Sequence, residues 1–145
     1  GIRVTALESR HMEPVYAPGI YEKPPKNVDF TKRDNWLCGE VFAFLIEVDG
    51  LKILNIGSAN LYPPVMKGIE SDYLFGGISR WKPGFPELLA ENLHFRTLIP
   101  THHDEFTLPL SKFYLRNDLT RLKKVYRKLQ PDAKYQELPV LKWVE

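Results

Sequence analysis

The sequence predicts a mixed α/β fold in which helices pack against a sheet. A strong β-hairpin signal lies near the middle of the chain, strand-like and helix-like segments alternate after it, and an amphipathic helix lies near the end. A strand, a helix and a further strand in this order predict a parallel crossover and α/β layer packing. The 145 residues, of which 43% are hydrophobic and 26% charged, are enough for one globular domain with a real core.

The first predicted element is a strand over residues 2–7. Ile2, Val4 and Ala6 alternate with other residues there, and an alternating pattern is typical of a strand with two different faces. Residues 12–36 follow with several prolines and many charges, which indicates a long loop.

The clearest signal is a β-hairpin over residues 41–56. Two apolar runs, 41–48 and 51–56, flank the dipeptide Asp49-Gly50. This dipeptide favours the type I′ turn that joins two antiparallel strands.

The residues after the hairpin show the strand, helix and strand pattern that predicts the parallel crossover. A short helix or turn with proline at its start precedes a short strand at 73–75. A helix is then predicted over 86–93, because Pro86 can stand in a first turn and good helix formers follow it. The segment FRTLIP, residues 95–100, is predicted to be a buried strand.

The last predicted elements are a helix over residues 118–130 and a short final strand. Asp118 can cap the helix and Pro131 can stop it. The apolar residues at helical spacing share one face, and they are Leu119, Leu122, Val125, Tyr126 and Leu129. The final strand is expected within residues 134–143.

The composition excludes several classes of protein. The formal net charge of +2 does not indicate a strongly basic nucleic-acid binder, and the basic residues of the last helix are better explained as a solvated face. A lone Cys38 excludes an internal disulfide and mildly favours a reducing compartment such as the cytoplasm. No apolar run approaches a membrane span, and the first residues do not form a signal peptide. Because the chain does not begin with Met, we expect that upstream sequence is absent.

Polar side chains follow four of the predicted strands. They are His11, the segment 57–60, the segment 76–79 and the segment 102–106, which contains two histidines and two acids. Strand ends converge at one edge of an α/β sheet, where ligands bind. From the residues alone, His11 and His102 could be metal ligands or ordinary histidines with backbone hydrogen bonds.

A resemblance to a known family adds to this pattern. Two segments, LKILNIGSANLYPPVMKGIESDYLFGGIS and TLIPTHHDEFTLPL, resemble the C-terminal half of metallo-β-lactamase-fold hydrolases. The branch it is most similar to has a Gly-Ser-Ala turn after the hairpin and a P-x-H-x-D-D-F block. The leading VTALESRH is similar to the strand that brings the middle metal histidine. The resemblance covers most of residues 1–113 and implies half of a four-layer αββα sandwich, with residues 1–145 as its C-terminal half.

The resemblance also implies site residues. His11 matches the third histidine of the first metal site, and His102 matches the last histidine of the second. Ser58 stands where most members have a bridging Asp, and a neutral hydroxyl cannot bridge two cations as a carboxylate does. A mononuclear site, or Asp104 as a substitute ligand, is therefore expected.

Three further residues are expected near this site. Asn60 belongs to the turn after the hairpin, and His103 occupies a position where packing or rim contacts are expected. Glu105 either orients His102 or is merely solvated.

The implied activity is metal-dependent hydrolysis, in which a metal-bound hydroxide attacks an ester, lactone, amide or phosphoester of a small-molecule substrate. Zinc is the expected ion, with iron or manganese as alternatives. The defining H-x-H-x-D-H block is absent from these 145 residues, so the chain alone is expected to bind metal weakly or not at all and to be inactive. Its expected partner is the missing N-terminal half, a second chain that completes the sandwich, or another copy. The alternative function is a non-catalytic interaction domain with a degenerate metal site.

Overall fold

A computed structural model describes residues 1–11, 22, 27, 29, 31–32, 37, 39–57, 60–77, 84–102 and 117–138. Within these ranges the chain forms one mixed sheet and three helices, which confirms the predicted α/β fold and corresponds to a partial sandwich. The elements are β1 (Ile2–Glu8), β2 (Phe42–Val48), β3 (Leu51–Gly57), α1 (Pro63–Met66), β4 (Ile69–Gly77), α2 (Phe85–Asn92), β5 (Leu93–Thr101), α3 (Asn117–Leu129) and β6 (Lys134–Tyr135). Most of the predicted loop over 12–36 lies outside the described residues.

The strands lie side by side in chain order, from β1 to β6. β2 is antiparallel to both β1 and β3, whereas β3, β4, β5 and β6 are parallel to their neighbours. β1 therefore runs in the same direction as the four parallel strands, and β2 alone runs in the opposite direction. The carboxyl ends of β1, β3, β4, β5 and β6 consequently lie at one edge of the sheet.

The hairpin between β2 and β3 forms as predicted. Asp49 has φ 48° and Gly50 has φ 82°, and a type I′ turn needs positive φ at both central residues. Val48 pairs directly with Leu51 across this turn. The local dipeptide therefore sets the register of the two strands.

The helices connect the parallel strands and contribute side chains to the hydrophobic core. Each of α1, α2 and α3 lies between two neighbouring parallel strands, as the predicted crossover requires. Side chains from the helices and from the sheet form one buried cluster, which includes Leu54, Ile56, Met66, Leu74, Leu89, Leu98, Leu122 and Tyr126.

Two details of α3 differ from the prediction. The helix begins at Asn117, so Asp118 lies in its first turn and does not precede it as a cap. Leu122 and Tyr126 are buried, but Leu129 is 39% exposed because the helix ends at this residue and its side chain extends beyond the core. No helix in the described ranges is both long and apolar enough to cross a membrane.

One face of strands β1 to β3 is apolar and exposed. The register places side chains that alternate along each strand on this face, and its large exposed members are Ile2, Val4, Phe42, Phe44 and Leu51. Their exposed fractions run from 41% for Phe44 to 72% for Ile2. The opposite face of the same strands carries Ala43 and Leu54, which are fully buried. We refer to the exposed set as the open sheet face.

Candidate metal site

The strand order brings the predicted strand ends to one sheet edge. His11 follows shortly after β1, and His102 follows β5 directly. Because β1, β3, β4 and β5 run in the same direction, their carboxyl ends lie at this edge. The expected convergence of these ends is observed, whereas the roles of the two histidines as ligands stay predictions.

The segment that contains His11 is fixed to the segment that follows β3. The backbone N–H of Asn60 donates to the carbonyl of Arg10 at 2.6 Å, and the Ser9 hydroxyl donates to the carbonyl of Asn60 at 2.6 Å. The Ser9 N–H donates in turn to the Val41 carbonyl at 2.9 Å. The Arg10 guanidinium lies 4.2 Å from the ring centroid of Tyr62. These contacts draw the chain after β1 past the start of β2 and against the end of β3.

His11 presents a ring nitrogen that fits metal ligation. Its Nε2 is inaccessible to solvent and has no hydrogen-bond partner within the described part of the chain. Buried polar atoms are normally satisfied, so an unpaired imidazole nitrogen beside a sheet edge requires an explanation. A cation bound by the nitrogen lone pair would satisfy it.

His102 has an unusual backbone conformation at the end of β5. Its φ is 52°, in the left-handed region that side chains rarely adopt. This conformation costs roughly 1–2 kcal/mol in a residue other than glycine. Such strain is concentrated at functional sites, where it orients a side chain.

The distance between the two histidines follows from the sheet. The segment of His11 lies beside the end of β3, and β3 is two strand positions from β5. Neighbouring strands are about 4.8 Å apart, so one spacing across the Arg10–Asn60 bridge and two from β3 to β5 correspond to roughly 14 Å between backbones. At this separation both imidazole side chains would have to be extended towards each other to bind a common ion.

The other predicted site residues divide into two groups. Asn60 is described and forms a bridge with Arg10, the residue before His11, and its place near a metal site stays a prediction. The remaining four lie outside the described residues, and they are Ser58, His103, Asp104 and Glu105. Within the described residues, no group of three or more His, Cys, Asp or Glu side chains could hold an ion. The described residues therefore offer a metal ion at most two ligands, His11 and His102.

Two residues at this edge were missed by the sequence reasoning. Ser9 is buried and holds the His11 segment in place, and Arg10 is an exposed cation beside the candidate site. The polar run ESRH after a strand was the available signal, but only its histidine was given a role.

The fold is similar to that of a solved structure whose name describes a metal-dependent hydrolase. The match is to the "Putative metal-dependent hydrolase from Parabacteroides distasonis ATCC 8503", with a TM-score of 0.58 and 12% sequence identity. The alignment covers 94% of this chain and 50% of that one, so this chain spans half the length of the similar protein. No family model and no curated protein matches the sequence. At this identity the similarity establishes the shared fold.

Proposed function

We propose that this chain is the C-terminal half of a metal-dependent hydrolase of the metallo-β-lactamase type. The observation that carries the proposal is the unpaired, buried Nε2 of His11 at the sheet edge where His102 follows β5. The motifs around Ser58 and His102 support the same family, and the solved structure with a similar fold is named a metal-dependent hydrolase.

In this proposal His11 and His102 are nitrogen ligands of one divalent cation, with zinc the first candidate. Asp104 is the proposed oxygen ligand, and Glu105 accepts a hydrogen bond from the second ring nitrogen of His102 and so fixes its orientation. When bound, a divalent cation lowers the pKa of water towards about 7 and polarises the substrate oxygen. The contacts of Ser9 and Asn60 hold the His11 segment in position, and the left-handed φ of His102 turns the chain at the end of β5.

We further propose that the open sheet face is covered by a second polypeptide segment, equivalent to the unmatched half of the similar structure. That structure is twice as long as the region to which this chain aligns. The five exposed side chains present roughly 450 Å² of apolar surface, and contiguous patches of this size are often functional. Burying it would contribute about 11 kcal/mol, which is comparable with the 4–15 kcal/mol that association requires. The missing metal ligands would come from the same segment.

The open sheet face also favours a second candidate function, a non-catalytic interaction domain. In that case the same segment would bind to the face, but the complex would hold no metal and cleave no substrate. The two functions thus share a binding surface and differ in metal content.

Metal binding gives the direct test. The protein and its His11→Ala variant should be equilibrated with Zn²⁺, with and without the complementary half, and analysed for bound metal. His94→Ala is the matched control, because His94 is exposed at the opposite end of β5. We expect His11→Ala to weaken zinc binding at least about tenfold and His94→Ala to leave it unchanged.

Hydrolysis separates the two candidate functions. The assembled complex should cleave activated esters or phosphodiesters, and His11→Ala should abolish this activity while leaving the complex assembled. A complex that assembles without zinc or activity supports the interaction domain. Equal zinc binding by the parent protein and both histidine variants would refute the proposed ligand role of His11.

A further inference from the structure

A second cavity lies away from the candidate metal site, between α3, β5 and β6. Its volume is about 300 Å³, at the lower end of the range for small-molecule sites. Leu98 of β5 lines the cavity and stands four residues before His102, which corresponds to roughly 13 Å along a strand. The cavity is therefore separate from the sheet edge that carries the histidines.

The inner wall of the cavity is apolar and well packed. Phe95 and Leu98 are 7% and 1% exposed, and the Phe95 ring meets the Tyr126 ring edge to face at a centroid distance of 5.1 Å. Aromatic walls of this kind hold an apolar ligand body of about one ring.

Tyr126 also brings a hydrogen-bond donor that the described residues do not use. The residue is 3% exposed, and its hydroxyl has no hydrogen-bond partner in the described ranges. Burial raises the pKa of the Tyr126 phenol, so the group stays protonated and can donate. A buried donor of this kind is normally satisfied by water or by a ligand.

The rim of the cavity is positively charged. Lys123, Arg127 and Lys134 all line it. Lys123 is paired with the Glu137 carboxylate, and its Nζ lies 4.5 Å from the ring centroid of Tyr135. Within the described residues Arg127 and Lys134 have no acidic partner, so the rim carries an excess of positive charge.

We propose that this cavity binds a small organic anion, with an apolar body of about one aromatic ring and a single carboxylate or phosphate group. The body packs against Phe95 and Tyr126. The anionic group lies at the rim, where it accepts hydrogen bonds from Arg127 and Lys134; a small rotation of the Tyr126 ring, whose hydroxyl is buried in the unliganded protein, would let that hydroxyl donate to the same group. Nothing in this assignment depends on the metal site, so it goes beyond the proposed hydrolase function.

The test is a calorimetric titration of the protein with phenyl phosphate, benzoate and inorganic phosphate, accompanied by amide NMR spectra. The first two probes carry the ring with different anionic groups, and the third carries the anion without the ring. We expect ring-bearing probes to bind and to shift the amide signals of Ala133 and Lys134, while inorganic phosphate binds at least about tenfold more weakly.

Three variants locate the binding. Arg127→Gln should weaken binding of the preferred probe by about tenfold or more, because hydrogen bonds from charged donors to an anion are strong. Tyr126→Phe removes only the hydroxyl and should weaken binding several-fold. Lys128→Gln is the matched control, since Lys128 is an exposed cation on the same helix that does not line the cavity, and we expect it to change binding less than twofold.

Three results would overturn the proposal. The absence of binding by every probe up to about 10 mM would mean that the cavity does not take an organic anion. Equal weakening by Arg127→Gln and Lys128→Gln would show a general effect of net charge. Equal affinity for inorganic phosphate and phenyl phosphate would show that the aromatic wall takes no part. Because Arg127 is exposed, its variant remains informative even if Tyr126→Phe disturbs folding.

Discussion

The same substitution at two buried serines should have opposite consequences. Ser9 is 6% exposed and its hydroxyl donates to the Asn60 carbonyl, whereas Ser71 is 7% exposed and its hydroxyl has no hydrogen-bond partner in the described part of the chain. Ser9→Ala leaves the carbonyl without this donor, so we expect a loss of about 1–3 kcal/mol in the free energy of unfolding. Ser71→Ala removes an unsatisfied buried hydroxyl, so we expect no loss, or a gain of up to about 1 kcal/mol.

Urea unfolding and thermal unfolding of both variants measure this difference. For 145 residues, 1 kcal/mol corresponds to a Tm shift of about 3 °C, so the two variants should differ by roughly 3–12 °C. Zinc affinity should fall in Ser9→Ala, because the His11 segment is released, and should be unchanged in Ser71→Ala. Equal destabilisation by the two substitutions would refute the reasoning, since packing of the serine side chains would then outweigh their hydrogen bonds.

Three further perturbations test the fold and its surfaces. Phe44→Gln removes roughly 80 Å² of exposed apolar surface and should weaken binding of the complementary half by about 2 kcal/mol, or about 30-fold. Sedimentation of the mixed halves measures this affinity. Leu129 is similarly exposed but lies outside the open sheet face, so Leu129→Gln should leave the affinity unchanged. Leu122→Ala truncates a fully buried side chain and should lower the free energy of unfolding by about 2–5 kcal/mol in urea titration. Burial raises the pKa of Tyr126 and of Tyr135, so the free energy of unfolding should have its full value below about pH 10 and fall above it. The deeply buried Tyr126 should contribute up to about 1.4 kcal/mol per pH unit, and the half-exposed Tyr135 less. Tyr126→Phe should remove the contribution of one titrating proton from the slope of the free energy of unfolding against pH. An unchanged slope above about pH 10 would contradict the raised pKa of Tyr126.

The parts of the fold that the sequence predicted well are those that local chemistry determines. Asp49-Gly50 can hold positive φ at two successive positions, and this alone specifies the hairpin. The spacing of Leu122 and Tyr126 specifies the buried stripe of α3. Among the side chains of that stripe that the structure describes, Leu129 was wrongly predicted to be buried, because its exposure depends on where the helix stops relative to the sheet.

Tertiary packing determines two features that the sequence pattern did not specify, the buried face of β1 and the length of β4. Alternation in β1 predicts a strand but does not specify which face is buried, since Leu7 is apolar on one side and Val4 on the other. The pairing of Leu7 with the buried Ala43 puts the Leu7 side on the core and leaves Val4 58% exposed. Strand β4 was predicted only at residues 73–75 but spans Ile69–Gly77, because pairing with β5 extends from Ile69 to Gly77 and holds Ser71 and the final glycines in the sheet.

The antiparallel strand β2 explains why the contacts of Ser9 and Asn60 are needed at all. If the chain after β1 continued straight, β2, β3 and β4 would separate it from β5, and four strand spacings amount to roughly 19 Å. Two imidazole side chains cannot meet at one ion across that distance. The bridge between Arg10 and Asn60 moves the chain across the start of β2 and shortens the separation by one strand spacing, to roughly 14 Å. If the two histidines bind one ion, as proposed, the hydrogen bonds that join these two segments are what brings His11 within reach of it.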